Sequence, residues 1–239
     1  MNKTLENILI NSYEASNLKK WEERISQEVN EYSYFVDMQK VHGTCVDVGA
    51  NIGAFSFKYG NLFNRVICIE PAAGNVKFIK NSIIEKNIKN IEVIRRAVSV
   101  NNKDVVKLRA MKKLNGFDGI GSIGDLSTQL HTFLDQTGWL DESDNYEEVE
   151  TINLENIFLD FNLKTINLLK VDCEGSEYDF LFDKDLKCID RIVMEVHGFL
   201  SQEKIAKLIN HINKTHNVFR ITKPTPNFNI GFVSKLNNS

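Results

Sequence analysis

The chain has no excess of basic charge, since 29 Lys and Arg stand against 32 Asp and Glu for a formal net charge of −3. That removes the electrostatic reason for wrapping a polyanion. No run of Lys or Arg builds a basic stripe, so nucleic acid is not an expected partner. Long apolar stretches are also missing. Met1 through Ile10 mix Lys3 and Glu6 among apolar residues, unlike a signal peptide. No later segment reaches the roughly 20 apolar residues that a bilayer-spanning helix needs, so the expectation is a cytoplasmic protein with no membrane span. Cys45, Cys68, Cys173 and Cys188 show neither CxxC nor Cys/His ligand spacing. Three of them sit in apolar runs, which reads as reduced core residues rather than metal ligands or nucleophiles. No internal repeat or low-complexity linker is visible.

What is present is enough for one sizeable core: 239 residues, 42% of them hydrophobic, suit a single α/β domain with a helical extension. Residues 1–40 read as that extension. Leu5, Ile8, Leu9 and Tyr13, then Trp21, Ile25, Val29 and Tyr32, recur at helical spacing and predict a cap packed on one end of a sheet. From residue 44 the pattern changes to short apolar runs rich in β-branched residues, separated by stretches of helical length. This alternation predicts βαβ units in a mostly parallel, doubly wound sheet over 41–239. The runs are Thr44 to Val48, Arg65 to Ile69, Ile91 to Ile94, Ile166 to Val171, Arg191 to Val196, Val218 to Ile221 and Asn229 to Ser234.

The connection from 99 to 153 is unusually long for a compact domain and is the candidate substrate lid. It opens with a possible extra strand at Val105 to Ala110 and passes Gly116, Gly119, Gly121 and Gly124. A helix-like stretch from Leu126 to Leu134 follows, then an acidic tract, Asp141 to Glu150, expected to be a solvated surface turn.

The segment Thr44-Cys-Val-Asp-Val-Gly-Ala-Asn-Ile-Gly53 places a strand, a carboxylate near its end, two glycines and a helical pattern in immediate succession. In open α/β sheets ligands collect beyond the carboxyl ends of strands, where glycines permit close backbone approach. A dinucleotide site would want GxGxxG so that a pyrophosphate can sit on the helix N-terminus. Here Asn51 replaces the middle glycine and Asp47 adds negative charge, both against a diphosphate. A cofactor with a cationic amino-acid end and no phosphate suits the corner better, because a carboxylate attracts its ammonium, and S-adenosylmethionine has those features. Glu70 closes the second run, 21 positions after Gly49, near the spacing at which an acid receives ribose hydroxyls. Singly, Asp47 is more often a helix cap and Glu70 a surface acid before a proline turn. In register with the glycines, they read together as a cofactor site.

Four ordered blocks, DVGANIG, CIEP, LLKVDCEGSEYDFL and IVMEVHG, closely resemble the FkbM-type family of S-adenosylmethionine-dependent methyltransferases over about residues 43–200. The resemblance implies a Rossmann-like, seven-stranded sheet of the class I methyltransferase type, with helices on both faces and an antiparallel last strand. It also implies methyl transfer to a hydroxyl of a sugar or small metabolite. By similarity, Asp47, Gly49, Asn51 and Gly53 would contact the methionine part, Glu70 the ribose, and Ala97 with its neighbours the adenine edge.

Methyl transfer to an alcohol needs in-line positioning and removal of a proton. Asp172 ends the fourth run and is assigned to both the cofactor and the catalytic set, while Glu174 and Glu177 follow within one helical turn. Glu195 and His197 alternate to one side at the end of the fifth run. His197 is the first choice of general base because its ordinary pKa lies near neutrality. A Mg²⁺ ion on Asp172, Glu174 and His197 ranks second. Taken singly, Glu174 and Glu177 also suit a helix N-terminus, where their charge favours the macrodipole, and His197 also suits a satisfied end-of-strand position. His42, His131, His211 and His216 have no comparable placement. The nearest rivals are an NAD-dependent reductase or epimerase and a non-catalytic binding module of the same fold. A nucleobase-amine methyltransferase is disfavoured because Asp172-Cys-Glu-Gly stands where a Pro-Pro-aromatic segment would be expected.

Overall fold

The computed structural model describes residues 42–98, 104–109, 122–123, 146–173, 175–196, 201–221 and 230–236. The helical cap expected over 1–40, the helix expected at Leu126 to Leu134, and Glu174 and His197 lie outside the described residues. In chain order the elements begin β1 (Thr44–Val48), α1 (Ala54–Tyr59), a 3-10 turn (Gly60–Leu62), β2 (Arg65–Ile69), α2 (Ala73–Glu85) and β3 (Ile91–Ile94). Next comes β4 (Ala97–Val98), and the long connection contributes β5 (Val105–Arg109), β6 (Ser122–Ile123) and β7 (Tyr146–Ile152). Then follow α3 (Leu154–Asp160), β8 (Leu168–Val171), α4 (Glu177–Leu181), β9 (Arg191–Val196), α5 (Gln202–Ile212), β10 (His216–Ile221) and β11 (Ile230–Leu236).

Seven strands form one sheet in the order β10-β11-β9-β8-β1-β2-β3. Only β11 runs against its two neighbours. Each central strand alternates its side chains between two covered faces, which is why it reads as a continuous apolar run. Cys45, Val66, Cys68, Leu168 and Val193 pack with Phe55 and Tyr59 of α1 and Ile79 of α2. Val46, Val48, Ile67, Ile69, Leu169, Val171, Ile192 and Met194 pack with α3, α4 and α5 through residues such as Ile157, Phe180, Ile205 and Leu208. Each fully buried Leu, Ile or Phe is worth about 1.5–3 kcal/mol of transfer free energy, so the two faces supply the main stabilisation of the sheet.

Helices α3 and α5 carry side-chain N-caps. The Asn153 side chain accepts the Asn156 amide at 2.8 Å ahead of α3, and Ser201 accepts the Lys204 amide at 3.3 Å ahead of α5. Below the sheet, the Asn167 side chain accepts the Thr44 amide and donates to Asp190, each at 2.8 Å. That ties the entries of β1, β8 and β9 together. It also starts the regular part of β8 at Leu168, two residues later than the apolar run suggests, with Ile166 left in an isolated bridge to Ile189.

The acidic tract is a correction. Its second half is strand β7 rather than a surface turn, central in a smaller sheet of order β4-β7-β5-β6. Val149 and Ile152 are buried, and the exposed Glu147 and Glu150 pair with Arg95 and Arg96. A strand whose outward positions are all Glu looks like a charged loop until its buried Val and Ile are given a partner surface. Val149 finds that surface with Ala72, Ala97, Val106 and Leu108. The long connection therefore carries structure of its own, a small sheet laid beside the end of β2.

The thiols also divide more finely than expected. Cys45 and Cys68 are buried, whereas Cys173 is half-buried and Cys188 exposed. Burial, with the Asp47 charge second, pushes both buried thiols up, away from the reactive thiolate.

Candidate active site

The chain leaves β1 to build β2 and β3 on one side and later returns to build β8 and β9 on the other. The crevice beyond β1 and β8 is therefore the place where the strand order reverses, which in open α/β sheets is where ligands bind. Asp47, Gly49, Asn51, Gly53, Glu70 and Asp172 all lie at this edge, as their sequence positions predict.

The turn after β1 is left-handed three times, at Gly49 (φ 70), Asn51 (φ 53) and Gly53 (φ 81). Asn tolerates that region better than other side-chain-bearing residues, which explains how it replaces a glycine there. Gly49 has a second reason. A Cβ on it would lie 1.7 Å from the Asp172 carbonyl oxygen, so the close approach made here is between two strand ends. The turn's amides are directed inward: Gly49 and Ala50 donate to the Ile69 carbonyl at 3.0 and 3.2 Å, and Gly53 to the Ala50 carbonyl at 2.7 Å. The Asn51 amide donates to Glu70 Oε2 at 2.8 Å.

Glu70 is almost wholly buried. Its Oε1 accepts the Ala72 amide at 2.9 Å and Asn75 Nδ2 at 3.2 Å. Burial pushes the carboxyl up to about 7, against the pull of the Ala72, Asn75 and Asn51 donors. Asn75 also donates to Asn51 Oδ1 at 3.1 Å, so the two carboxamides brace the turn against α2. Ala97 lies on β4 in the same small cluster as Ala72, which brings it beside the Glu70 loop.

Asp47 differs from the expectation of a carboxylate facing a ligand. Its side chain is fully buried on the α1 and α2 face. Ser56 Oγ donates to Asp47 Oδ2 at 2.7 Å, and the Cys68 thiol donates in turn to Ser56 at 3.1 Å. The other oxygen faces Lys170 Nζ at 3.2 Å. Lys170 is the residue that sequence reasoning missed. It stands directly opposite Asp47 in the parallel ladder, donates to the Gly49 carbonyl at 2.9 Å, and lies 3.6 Å from Asp172 Oδ2. Burial alone would push its pKa down, but Asp47 and then Asp172 hold it above the ordinary lysine value, so the ammonium stays charged. The available signal was a lone lysine in the run Leu168-Leu-Lys-Val171, because a buried strand lysine demands carboxylate partners.

Asp172 retains 25% side-chain exposure, so it is the partly open carboxylate of the trio. Beyond it, buried Glu177 accepts the Cys173 and Gly175 amides at 3.3 and 3.0 Å and so anchors the loop after β8. His211 and His216 bond to the Lys184 and Ile189 carbonyls at 2.9 and 2.8 Å, away from this edge. Among the described residues no cluster of three His, Cys, Asp or Glu side chains gathers to hold a metal.

A family profile described as Methyltransferase FkbM domain matches residues 47–221. Among solved structures, an FkbM methyltransferase from Methylobacillus flagellatus KT is 14% identical with a TM-score of 0.44; the match covers 79% of this chain and 43% of that one. TrmK of M. capricolum, solved with S-adenosylhomocysteine, is 8% identical with a TM-score of 0.45, covering 90% of this chain and 68% of that one. A fibrillarin pre-rRNA processing protein of Methanococcus jannaschii is 9% identical with a TM-score of 0.47, covering 84% and 69%. No curated protein matches the sequence.

Proposed function

Since the chain belongs to the FkbM methyltransferase domain family, we propose that it transfers a methyl group from S-adenosylmethionine to a hydroxyl of a small molecule or glycan. The observation that carries the reading is the use of the Gly49–Gly53 turn's own amides. Those of Gly49, Ala50, Asn51 and Gly53 are spent on Ile69, Glu70 and Ala50. A pyrophosphate needs such amides free, so this turn does not suit a dinucleotide. A phosphate-free nucleoside with a cationic tail asks instead for acceptors, and the edge offers Glu70 and Asp172. These two acceptors fit that ligand.

When bound, S-adenosylmethionine supplies an already activated, electrophilic methyl group. The chain's own part is to bind, orient and deprotonate. In this reading Gly49, Asn51 and Gly53 shape the floor under the methionine end. Glu70 receives the ribose hydroxyls with the lone pairs its three N–H donors leave over. Ala97 flanks the adenine edge, and Asp172 faces the ammonium and the acceptor. Asp47 supports the turn from beneath. His197, directly after β9, is proposed as the base that takes the hydroxyl proton, with Glu174 orienting the acceptor; a positioned base is worth roughly 10²- to 10⁴-fold. No helix among the described residues is long and apolar enough to cross a membrane. The four thiols are free, which fits the reducing cytoplasm where we place the enzyme.

The test is transfer of label from methyl-tritiated S-adenosylmethionine to panels of glycans, small alcohols and tRNA, alongside calorimetry with the cofactor and with NADH. Label in a hydroxyl acceptor is expected, lost on His197→Ala while cofactor affinity persists. Binding of NADH without S-adenosylmethionine would overturn the proposal, and label in tRNA alone would overturn the acceptor class.

A further inference from the structure

Asp47, Lys170 and Asp172 line up across the ends of β1 and β8, and the geometry of that trio is not symmetric. Lys170 Nζ donates to the Gly49 carbonyl at 2.9 Å and forms ion pairs with Asp47 Oδ1 at 3.2 Å and Asp172 Oδ2 at 3.6 Å. Asp47 has no exposed surface, and the lysine side chain is 5% exposed, whereas Asp172 is 25% exposed. The surroundings of the inner pair are apolar, with Cys45, Cys68, Leu168 and Val193 on the same face of the sheet. An ion pair in such a place is weak evidence for stability alone, since apolar residues of similar size could fill it. What an apolar pair could not do is hold a backbone carbonyl at the start of a turn that is left-handed three times.

We propose that Lys170 is a positioning residue of the cofactor turn: its ammonium fixes the Gly49 carbonyl and cancels the charge of Asp47, leaving Asp172 as the carboxylate that the crevice presents. This rests on the reading of the crevice as the S-adenosylmethionine site and gives two like residues unlike tasks. Asp47 is the buried counter-ion of Lys170, and Asp172, itself 3.6 Å from the ammonium, is the partly exposed carboxylate of the trio. With Lys170 in place, the Ala50 amide that follows the held carbonyl is directed to Ile69, at 3.2 Å, and the turn is preformed before any ligand arrives.

The experiment compares wild type, Asp47→Asn and the double variant Asp47→Asn/Lys170→Met by calorimetry with S-adenosylmethionine and S-adenosylhomocysteine, after melting curves establish that each is folded. The double variant removes both buried charges together and so avoids an uncompensated one. For Asp47→Asn, affinity for the uncharged-sulfur ligand stays within about threefold of wild type. Its preference for the sulfonium falls severalfold, because an uncancelled ammonium now lies beneath the turn. In the double variant the sulfonium preference returns to the wild-type ratio while both affinities fall more than about tenfold. A merely structural lysine would not move the preference. The proposal is overturned if Asp47→Asn alone weakens S-adenosylhomocysteine as much as the double variant does, for Asp47 is then itself a ligand contact. It is equally overturned if the folded double variant binds at wild-type affinity. Should wild type bind neither compound, the cofactor reading fails separately. The clamp is then judged by hydrogen exchange at the Ala50 amide, expected to quicken at least about tenfold in the double variant while β2 and β9 stay protected; unchanged exchange there sinks it.

Discussion

Two carboxylates end neighbouring strands of one sheet, and the protein treats them oppositely. Asp47 at the end of β1 faces a buried ammonium at 3.2 Å, whereas Glu70 at the end of β2 is met by N–H dipoles from Asn51, Ala72 and Asn75. Dipoles offset less of the cost of burying a charge than a counter-ion does, so Glu70 is pushed up to about 7 by burial. The contrast teaches that position at a strand end does not define an acid's task. A residue locked by a counter-ion holds structure, and one held by dipoles keeps a proton equilibrium that a ligand can shift.

The largest way to break this comparison is to remove the counter-ion alone. Lys170→Met leaves buried Asp47 without its counter-ion and with the Ser56 hydroxyl as its side-chain donor among the described residues, and about 3–5 kcal/mol of stability is expected to go, read from the urea midpoint at neutral pH. Adding Asp47→Asn is expected to restore most of it. A single variant within about 1 kcal/mol of wild type would mean that the pair is not the determinant described.

Next comes the pH response of Glu70. Its pKa is raised in the folded chain from the ordinary 4.5 to about 7, so the folded state holds the proton more tightly than the unfolded one. The stabilisation is then complete below the ordinary value and is lost as pH rises through about 7, by on the order of 3 kcal/mol in all. Denaturant curves from pH 4 to 8 are expected to show this slope in wild type and not in Glu70→Gln, the difference between the two isolating the residue. Ligand binding should run the other way. Ribose hydroxyls donate to the ionised form, so affinity for S-adenosylmethionine is expected to rise with pH up to about 7 and flatten above it. Equal slopes in the two proteins would remove Glu70 from the proton equilibrium.

A smaller effect sharpens the role of the turn. Gly49→Ala puts a Cβ against the Asp172 carbonyl and a side chain at φ 70, at a cost of about 2 kcal/mol or more. At Gly53 the nearest atoms are side-chain carbons of Phe57 and Ile79, at 2.9 and 3.2 Å, which can shift. Gly53→Ala is therefore expected to melt above Gly49→Ala; the reverse order would show that α1, rather than β8, limits the turn.

Much of this was legible beforehand because buried parallel strands announce themselves. Thr44–Val48, Arg65–Ile69 and Arg191–Val196 have the predicted bounds, each being a largely apolar run within the sheet, and so does the edge strand Ile91–Ile94, where Ile91 is buried and the other three residues are half-buried. β10 begins at His216, two residues before the apolar run, because that imidazole is buried against the Ile189 carbonyl and behaves as core. Lys170 and β7 were hidden for one shared reason. Charge reads as exposure in a one-dimensional pattern, and in both places the compensating charge lies far along the chain: Asp47 for the lysine, Arg95 and Arg96 for the glutamates. The turn's glycines were found, but one of their two purposes, clearance for the Asp172 carbonyl, depends on a strand more than a hundred residues away.

The weakest expected effect completes the comparison, because it uses the same kind of pair in water. Arg95 Nη2 lies 2.5 Å from Glu147 and Arg96 Nη2 2.7 Å from Glu150, with all four side chains more than a third exposed. These pairs join the segment after β3 to β7, and both are shorter than the 3.2 Å contact of Lys170. Exposure decides otherwise. Water already solvates each charge, so Arg95→Ala is expected to cost about 0–1 kcal/mol, and that fraction should shrink further in 1 M salt. Arg95 also donates through Nε to the Pro71 carbonyl at 3.1 Å, so a double-mutant cycle with Glu147→Gln is needed to separate the pair from that bond. A coupling energy above about 2 kcal/mol, insensitive to salt, would show that the small sheet shields the pair, and burial would then cease to be what separates Lys170 from the arginines.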